Sequence, residues 1–150
     1  PPELRGVLPF AIADRTPRHF RVPDAAVTNG PLTGVAEILV GVESAGEPTE
    51  WFQRLHDFPT PIQISTSLAA DVATFPGQPV SFIEPDSGST LARRFDQTGQ
   101  QPLAFLLSAP DFDTAGDQFI LTDVGEWADR RLAWFDADPL QSAVGILETP

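Results

Sequence analysis

The sequence predicts an α+β domain in which two βαβββ-like units form one curled mixed sheet around a concave site. Runs of β-branched and apolar residues alternate with turn residues along most of the chain. One segment, 47–58, instead has apolar residues at helical spacing. The order strand, helix, three strands occurs once in full and once in shortened form, as a degenerate repeat of units about 60 and 50 residues long.

The first unit begins with the strand GVAEILVGV (34–42), which its β-branched residues favour. The helix at 47–58 follows it. Trp51, Leu55 and Phe58 recur at helical spacing, and Phe52 widens the apolar face of this helix. This pattern predicts that Trp51 packs in the core. The unit is completed by three strand candidates, at 61–68, 71–77 and 79–85.

The second unit follows a weaker helix or irregular link at 91–101. Its first strand is the apolar run LAFLLSA (103–109), and the segment 111–119 forms at most a short helix. The second helix is therefore expected to be vestigial. Three strands end the unit, at 120–124, 130–136 and 143–148.

The chain divides into two parts. Residues 1–33 are rich in Pro and Arg and predict an N-terminal strand at 6–14 followed by an extended connector. This part is consistent with the remnant of a preceding domain. Residues 34–150 then form the repeat domain.

Composition excludes several classes of function. The net charge of −12 argues against nucleic-acid binding, which needs a basic surface. No apolar run approaches the ~20 residues that cross a bilayer, and no charged-then-apolar leader is present. A cytoplasmic location is the default expectation. The absence of Cys excludes disulfides, thiolate zinc sites and cysteine nucleophiles.

Three acidic residues stand in strands that are otherwise apolar: Glu37, Glu84 and Glu148. Burying a carboxylate in such a strand costs free energy unless it meets a partner, a metal or a polar cavity. We expect the three side chains to converge on one polar hollow. Two other readings stay open, in which they pair with arginines or face solvent at strand ends. The arginines available for pairing are Arg93, Arg94, Arg130 and Arg131.

These features together resemble a glyoxalase-like domain of the vicinal oxygen chelate superfamily, whose plan is a tandem βαβββ repeat. The likeness covers roughly residues 34–150. The strand VAEILVGV carries Glu37 where the family commonly has a His, and PVSFIEP carries Glu84 at a ligand position. AVGILE places Glu148 at the last ligand position, whereas the second His position falls near Ala104.

The resemblance implies a metal site of Glu37, Glu84 and Glu148, with Glu148 also the catalytic base. An oxygen-only site suits Mg²⁺, Mn²⁺ or Ca²⁺ better than Zn²⁺, with Ni²⁺ as a further candidate. Because both His positions are altered, the first functional hypothesis is a small-molecule binding protein of the bleomycin-resistance type, with a degenerate metal site and no cofactor. The alternative is a divalent-metal-dependent lyase or isomerase of glyoxalase type.

Three further residues are candidate ligand contacts. Trp127 lies in turn-like sequence, which predicts the rim of a pocket or a contact with a partner. Trp134 shares a sheet face with Leu132 in RRLAWFD. Arg131 lies in the same strand as Trp134. The acidic chain fits a cationic small molecule. The family resemblance is also consistent with a homodimer.

Overall fold

The computed structural model describes Val7 and residues 15–17, 30–56, 68–75, 77–136 and 143–150, with the side chains of 123 and 124 left out. Its helices and strands, in chain order, are β1 Gly34–Gly41, α1 Gly46–His56, β2 Ala70–Thr74, β3 Val80–Pro85, α2 Thr90–Thr98, β4 Pro102–Ala109, α3 Phe112–Gln118, β5 Leu121–Trp127, β6 Arg130–Phe135 and β7 Val144–Glu148. Most of the predicted N-terminal strand and connector, and the strand predicted at 61–68 up to residue 67, lie outside the described residues. Within the described part of the chain, no helix has the length and apolar character needed to span a membrane.

The seven strands form one mixed sheet in the order β2-β3-β1-β4-β7-β6-β5. In the first half β1 is parallel to β3, and β3 is antiparallel to β2. In the second half β4 is parallel to β7, and β7 is followed by antiparallel β6 and β5. The halves meet where β1 pairs antiparallel with β4. The predicted α+β repeat is thus confirmed. The helix of the second unit is α3, which is short, with seven residues against eleven in α1.

The sheet is curled, and its two faces pack differently. On one face the side chains form a single cluster that reaches from β2 at one edge to Trp127 of β5 at the other. On the opposite face there are two separate clusters, one built on α1 and one on α3. A cluster that joins both edges lies on the inside of the curl, so we call this the concave face and the opposite one the helix face. Leu91 and Phe95 of α2 pack into the concave cluster.

Local sequence explains the two short helices. Ser89 caps α2 because its side chain accepts a hydrogen bond from the Ala92 backbone N–H at 3.0 Å. Asp111 caps α3 in the same way, accepting from the Thr114 N–H at 2.9 Å.

Helix α1 packs on the sheet through Phe52, at the margin of its predicted apolar face, and not through Trp51 and Leu55. Phe52 is buried and stacks on Phe75 and Phe82 at ring-centroid distances of 4.4 and 5.5 Å. Trp51 is 40% exposed and Leu55 is 61% exposed. The prediction that Trp51 lies in the core is therefore wrong, because the aromatic residues of β2 and β3 fix the helix through the neighbouring position, Phe52.

Close strand packing at Gly145 gives a first testable prediction. A Cβ on this residue would lie 2.8 Å from the Ala133 carbonyl oxygen of β6 and 3.1 Å from Leu106 Cδ2. Gly145→Ala must therefore separate β6 from β7, and we expect a loss of about 1–3 kcal/mol in the free energy of unfolding, measured in urea. Gly116→Ala in α3 is the matched control, since nothing lies within 4 Å of its Cβ position and alanine favours a helix. Equal stability of the two variants would contradict this account of the sheet.

Candidate functional site

Glu37 is a buried carboxyl group on the concave face. It is 7% exposed, and it shares this face with Leu39, two residues further along β1. Ser81 of β3 donates its hydroxyl to Glu37 Oε1 at 2.5 Å. Burial raises the pKa of Glu37, and the Ser81 hydrogen bond and the charge of Arg130 oppose this only in part. Glu37 is therefore a titratable group held inside an apolar surface.

Glu84 lies on the helix face. It follows Ile83, which belongs to the concave cluster, so strand alternation turns Glu84 to the side of Phe82 and α1. Its Oε2 accepts a hydrogen bond from the Ala45 backbone N–H at 3.3 Å, just before α1 begins. A carboxylate near a helix N-terminus is a common stabilising arrangement. The hydrogen bond between Glu84 and the Ala45 N–H therefore stabilises the start of α1.

Glu148 also lies on the helix face, at the corresponding place in the second unit. Arg131 donates two hydrogen bonds to the Glu148 carboxylate, from Nε at 3.1 Å and from Nη2 at 2.8 Å. Arg131 also binds Asp113 of α3 at 2.7 Å and lies over the Phe112 ring. The Arg131 hydrogen bonds lower the pKa of Glu148. A lowered pKa makes this carboxylate a weaker base, so the geometry does not support it as the catalytic base.

The three predicted metal ligands are thus divided between the two faces of the sheet, with Glu37 on one and Glu84 and Glu148 on the other. The expected convergence on a common hollow is wrong, because Glu84 and Glu148 occupy strand positions of the opposite parity to the concave cluster. Among the residues described, no three His, Cys, Asp or Glu side chains come together in a way that could hold an ion. The donor set therefore does not fit a carboxylate-only metal site.

The three residues predicted to contact a ligand do not lie together either. Trp134 lies on the concave face, half-buried against the central cluster, and it shares that face with Leu132 as predicted. Trp127 ends β5 rather than lying in a turn, and it is only 1% exposed, so its predicted place on a pocket rim is corrected to the core. Arg131 points to the helix face and is occupied by Glu148 and Asp113, which leaves it unsuited to a ligand on the concave face.

Two residues of the concave face were not predicted as site residues: Ser81, and Arg130, which was named only as an arginine available to pair with the glutamates. Arg130 alternates with Leu132, so it lies on the concave side of β6, and its charge reaches Glu37. Ser81 alternates with Ile83 in the same way and holds Glu37. The signal was present in both strands, since alternation from an apolar neighbour assigns each polar residue to a face.

The concave face therefore carries a set of polar groups within an apolar surface: Glu37 with Ser81 on β1 and β3, and Arg130 with the indole nitrogen of Trp127 on β6 and β5. Trp127 and Arg130 are directly opposite each other on β5 and β6. The set combines an acid of raised pKa, a guanidinium and a buried N–H donor. Such a set can bind a polar ligand group or exchange a proton with it.

This architecture defines the chain as having the vicinal oxygen chelate fold, in agreement with the predicted glyoxalase-like resemblance. No family model and no curated protein matches the sequence. Solved structures do match. They include methylmalonyl-CoA epimerase from Mycobacterium tuberculosis, which is 14% identical, with 83% of this chain and 93% of that chain covered and a TM-score of 0.67.

Two further similar structures show the same fold. A Streptomyces coelicolor methylmalonyl-CoA epimerase variant in complex with 2-nitronate-propionyl-CoA is 12% identical, with 79% of this chain and 99% of that chain covered and a TM-score of 0.60. A hypothetical protein from Bacillus halodurans is 10% identical, with 77% and 94% covered and a TM-score of 0.59. At these identities the likeness establishes the fold.

Proposed function

We propose that this chain is a small-molecule binding protein of the glyoxalase and bleomycin-resistance type, whose ligand lies on the concave face and meets Glu37. The observation that carries the proposal is the environment of this carboxyl group. A carboxylate has about four acceptor positions, and among the described residues only the Ser81 hydroxyl occupies one. Keeping a titratable group buried with so few partners costs stability, which is typical of a functional site.

The metal-dependent lyase or isomerase predicted as the alternative has less support. It needs several ligands around one ion, and the predicted ligands lie on opposite faces of the sheet. Ala104, at the second expected His position, has no metal-binding group. We therefore include in this proposal that the metal site of the chain is degenerate. Protein purified without chelator is expected to contain less than one equivalent of Mn, Mg, Ni or Zn.

The structural neighbours supply test ligands. Solved epimerases of this fold contain methylmalonyl-CoA or 2-nitronate-propionyl-CoA. Methylmalonyl-CoA is therefore one probe, and benzylamine tests the cationic aromatic ligand that the acidic composition favours. Benzyl alcohol is the uncharged comparison. A compound that binds only the folded state raises Tm, and the rise grows with the logarithm of its concentration divided by its Kd.

Glu37→Gln tests the site directly. The probe for this test is whichever compound raises the Tm of the wild type. We expect Glu37→Gln to weaken the binding of that compound by about tenfold or more, because a hydrogen bond to a charged group contributes about 1.5–3 kcal/mol. Glu84→Gln is the matched control, since it makes the same chemical change on the helix face. Equal binding by the two variants, in calorimetric titrations, would reject the concave face as the ligand site.

A further inference from the structure

We infer that the ligand is an organic acid whose carboxylate is bound by Arg130 and Trp127 and whose neighbouring hydroxyl or amino group meets Glu37. This inference rests on the function proposed above and specifies the chemistry of the ligand. It is carried by two donors on the concave face that the fold leaves without acceptors.

The first donor is the indole N–H of Trp127. The side chain is 1% exposed, and its Nε1 atom is buried with no hydrogen-bond partner among the described residues. A buried tryptophan N–H usually has an acceptor, because leaving it unpaired costs about 1–3 kcal/mol. An acceptor supplied by a ligand removes this cost.

The second donor is the guanidinium of Arg130. The half-buried Arg130 forms no side-chain hydrogen bond or ion pair with the described residues, in contrast to the neighbouring Arg131. Arg130 is the cross-strand partner of Trp127, and such pairs have Cβ atoms about 5 Å apart. One carboxylate is small enough to accept from both donors, and guanidinium and carboxylate match as a bidentate pair.

The turn between the two donors fixes their arrangement. Ala128 and Asp129 connect β5 to β6 with φ angles of 48° and 61°. Positive φ at both central positions is the geometry of a two-residue type I′ hairpin, which aligns the flanking residues closely. For a non-glycine residue such as Ala128 this conformation is strained, and strain of this kind concentrates at functional sites. The hairpin therefore presents Trp127 and Arg130 as a rigid pair.

Glu37 sets the other end of the ligand. Glu37 lies on the same concave face as Arg130, and the charge of Arg130 acts on it, so we place the second polar group of the ligand against Glu37. The surface between them is apolar, with Leu106 opposite Glu37 on β4 and Leu132 beyond Arg130 on β6. This combination fits an acid that carries an apolar substituent together with a hydroxyl or amino group. Mandelate, an aromatic 2-hydroxy acid, has these features and serves as the probe.

The test compares mandelate with two analogues by isothermal titration calorimetry on the whole chain. Mandelamide lacks the negative charge, and phenylacetate lacks the hydroxyl. We expect the wild type to bind mandelate about ten- to hundredfold more tightly than mandelamide. Arg130→Gln is expected to abolish this difference. Glu37→Gln is expected to weaken mandelate binding without affecting phenylacetate, and Trp127→Phe to weaken both acids.

Arg54→Gln is the control, since it removes the same charge from an exposed position on α1. The inference is overturned if Arg130→Gln weakens mandelate binding no more than Arg54→Gln, or if the wild type does not prefer mandelate to mandelamide. If benzylamine or benzyl alcohol shows Glu37-dependent binding and the acids do not, the proposed function stands and the acid is rejected. If no probe depends on Glu37, both proposals fail. A thermal melt of each variant shows that it is folded.

Discussion

Trp127→Ala is expected to lower the free energy of unfolding by about 3–5 kcal/mol, the range for a large side chain removed from a core. Trp127 is among the largest fully buried side chains and contacts the cluster that joins both edges of the sheet. Alanine would leave a cavity between β5 and the centre of the concave face. For a domain of this size we expect a fall of about 10 °C in Tm. Urea denaturation followed by circular dichroism measures the change.

Trp127→Phe separates the packing of the ring from its N–H group. Phenylalanine keeps most of the buried area, and the N–H that it removes has no acceptor among the described residues. We therefore expect this variant to retain most of the stability that Trp127→Ala loses. Trp51→Ala is the control, because this exposed tryptophan contacts only Arg54 in a cation–π pair at 5.6 Å among its described ring contacts, worth about 1 kcal/mol or less. If Trp127→Ala costs no more than Trp51→Ala, then Trp127 lies at a rim, as its sequence context suggested.

The fold was predictable because it depends on patterns that repeat along the chain. Strands 34–42, 79–85, 103–109 and 143–148 are apolar runs bounded by turn residues, and each is a strand in the structure. The repeat of strand, helix and strands then predicts a mixed sheet. These signals are local, so tertiary contacts did not have to be known in advance.

The faces of the strands were harder to predict, and the site depends on them. Every strand residue belongs to one face or the other, and a single step reverses the assignment. Arg130 and Arg131 show the consequence, since one meets the concave cluster and the other binds Glu148. Glu84 was assigned by family position, although its neighbour Ile83, buried in the centre of the sheet, assigns it to the helix face.

Helix α1 and the β5–β6 hairpin show what the sequence lacked. The spacing of Trp51 and Leu55 is correct for an amphipathic helix. The helix nevertheless packs on the sheet through Phe52, because Phe52 contacts the rings of Phe75 and Phe82. VGEWADRR looks like a turn, and the turn does occur, but one residue after Trp127. In both places contacts between distant segments decide an orientation that local pattern leaves open.

Glu37 on the concave face and Glu148 on the helix face are expected to have opposite effects on how stability depends on pH. Burial raises the pKa of Glu37 above its ordinary value of 4.5, so the folded protein binds this proton more tightly than the unfolded chain does. The stability contributed by Glu37 is then complete below pH 4.5 and is lost as the pH rises through the folded-state pKa. Because glutamine does not titrate, Glu37→Gln should gain stability relative to the wild type as the pH rises over this interval.

Glu148→Gln should behave in the opposite way. Arg131 lowers the pKa of Glu148, so its stabilising effect is complete above 4.5 and is lost as the pH falls through the folded-state pKa. The variant is therefore expected to be least stable, relative to the wild type, near neutral pH, and the difference should shrink in acid. Urea unfolding of the wild type and both variants at several pH values between 3 and 7 measures the two slopes. Slopes of the same sign would mean that Glu37 is not enclosed by the concave face, since burial is the main cause of its raised pKa.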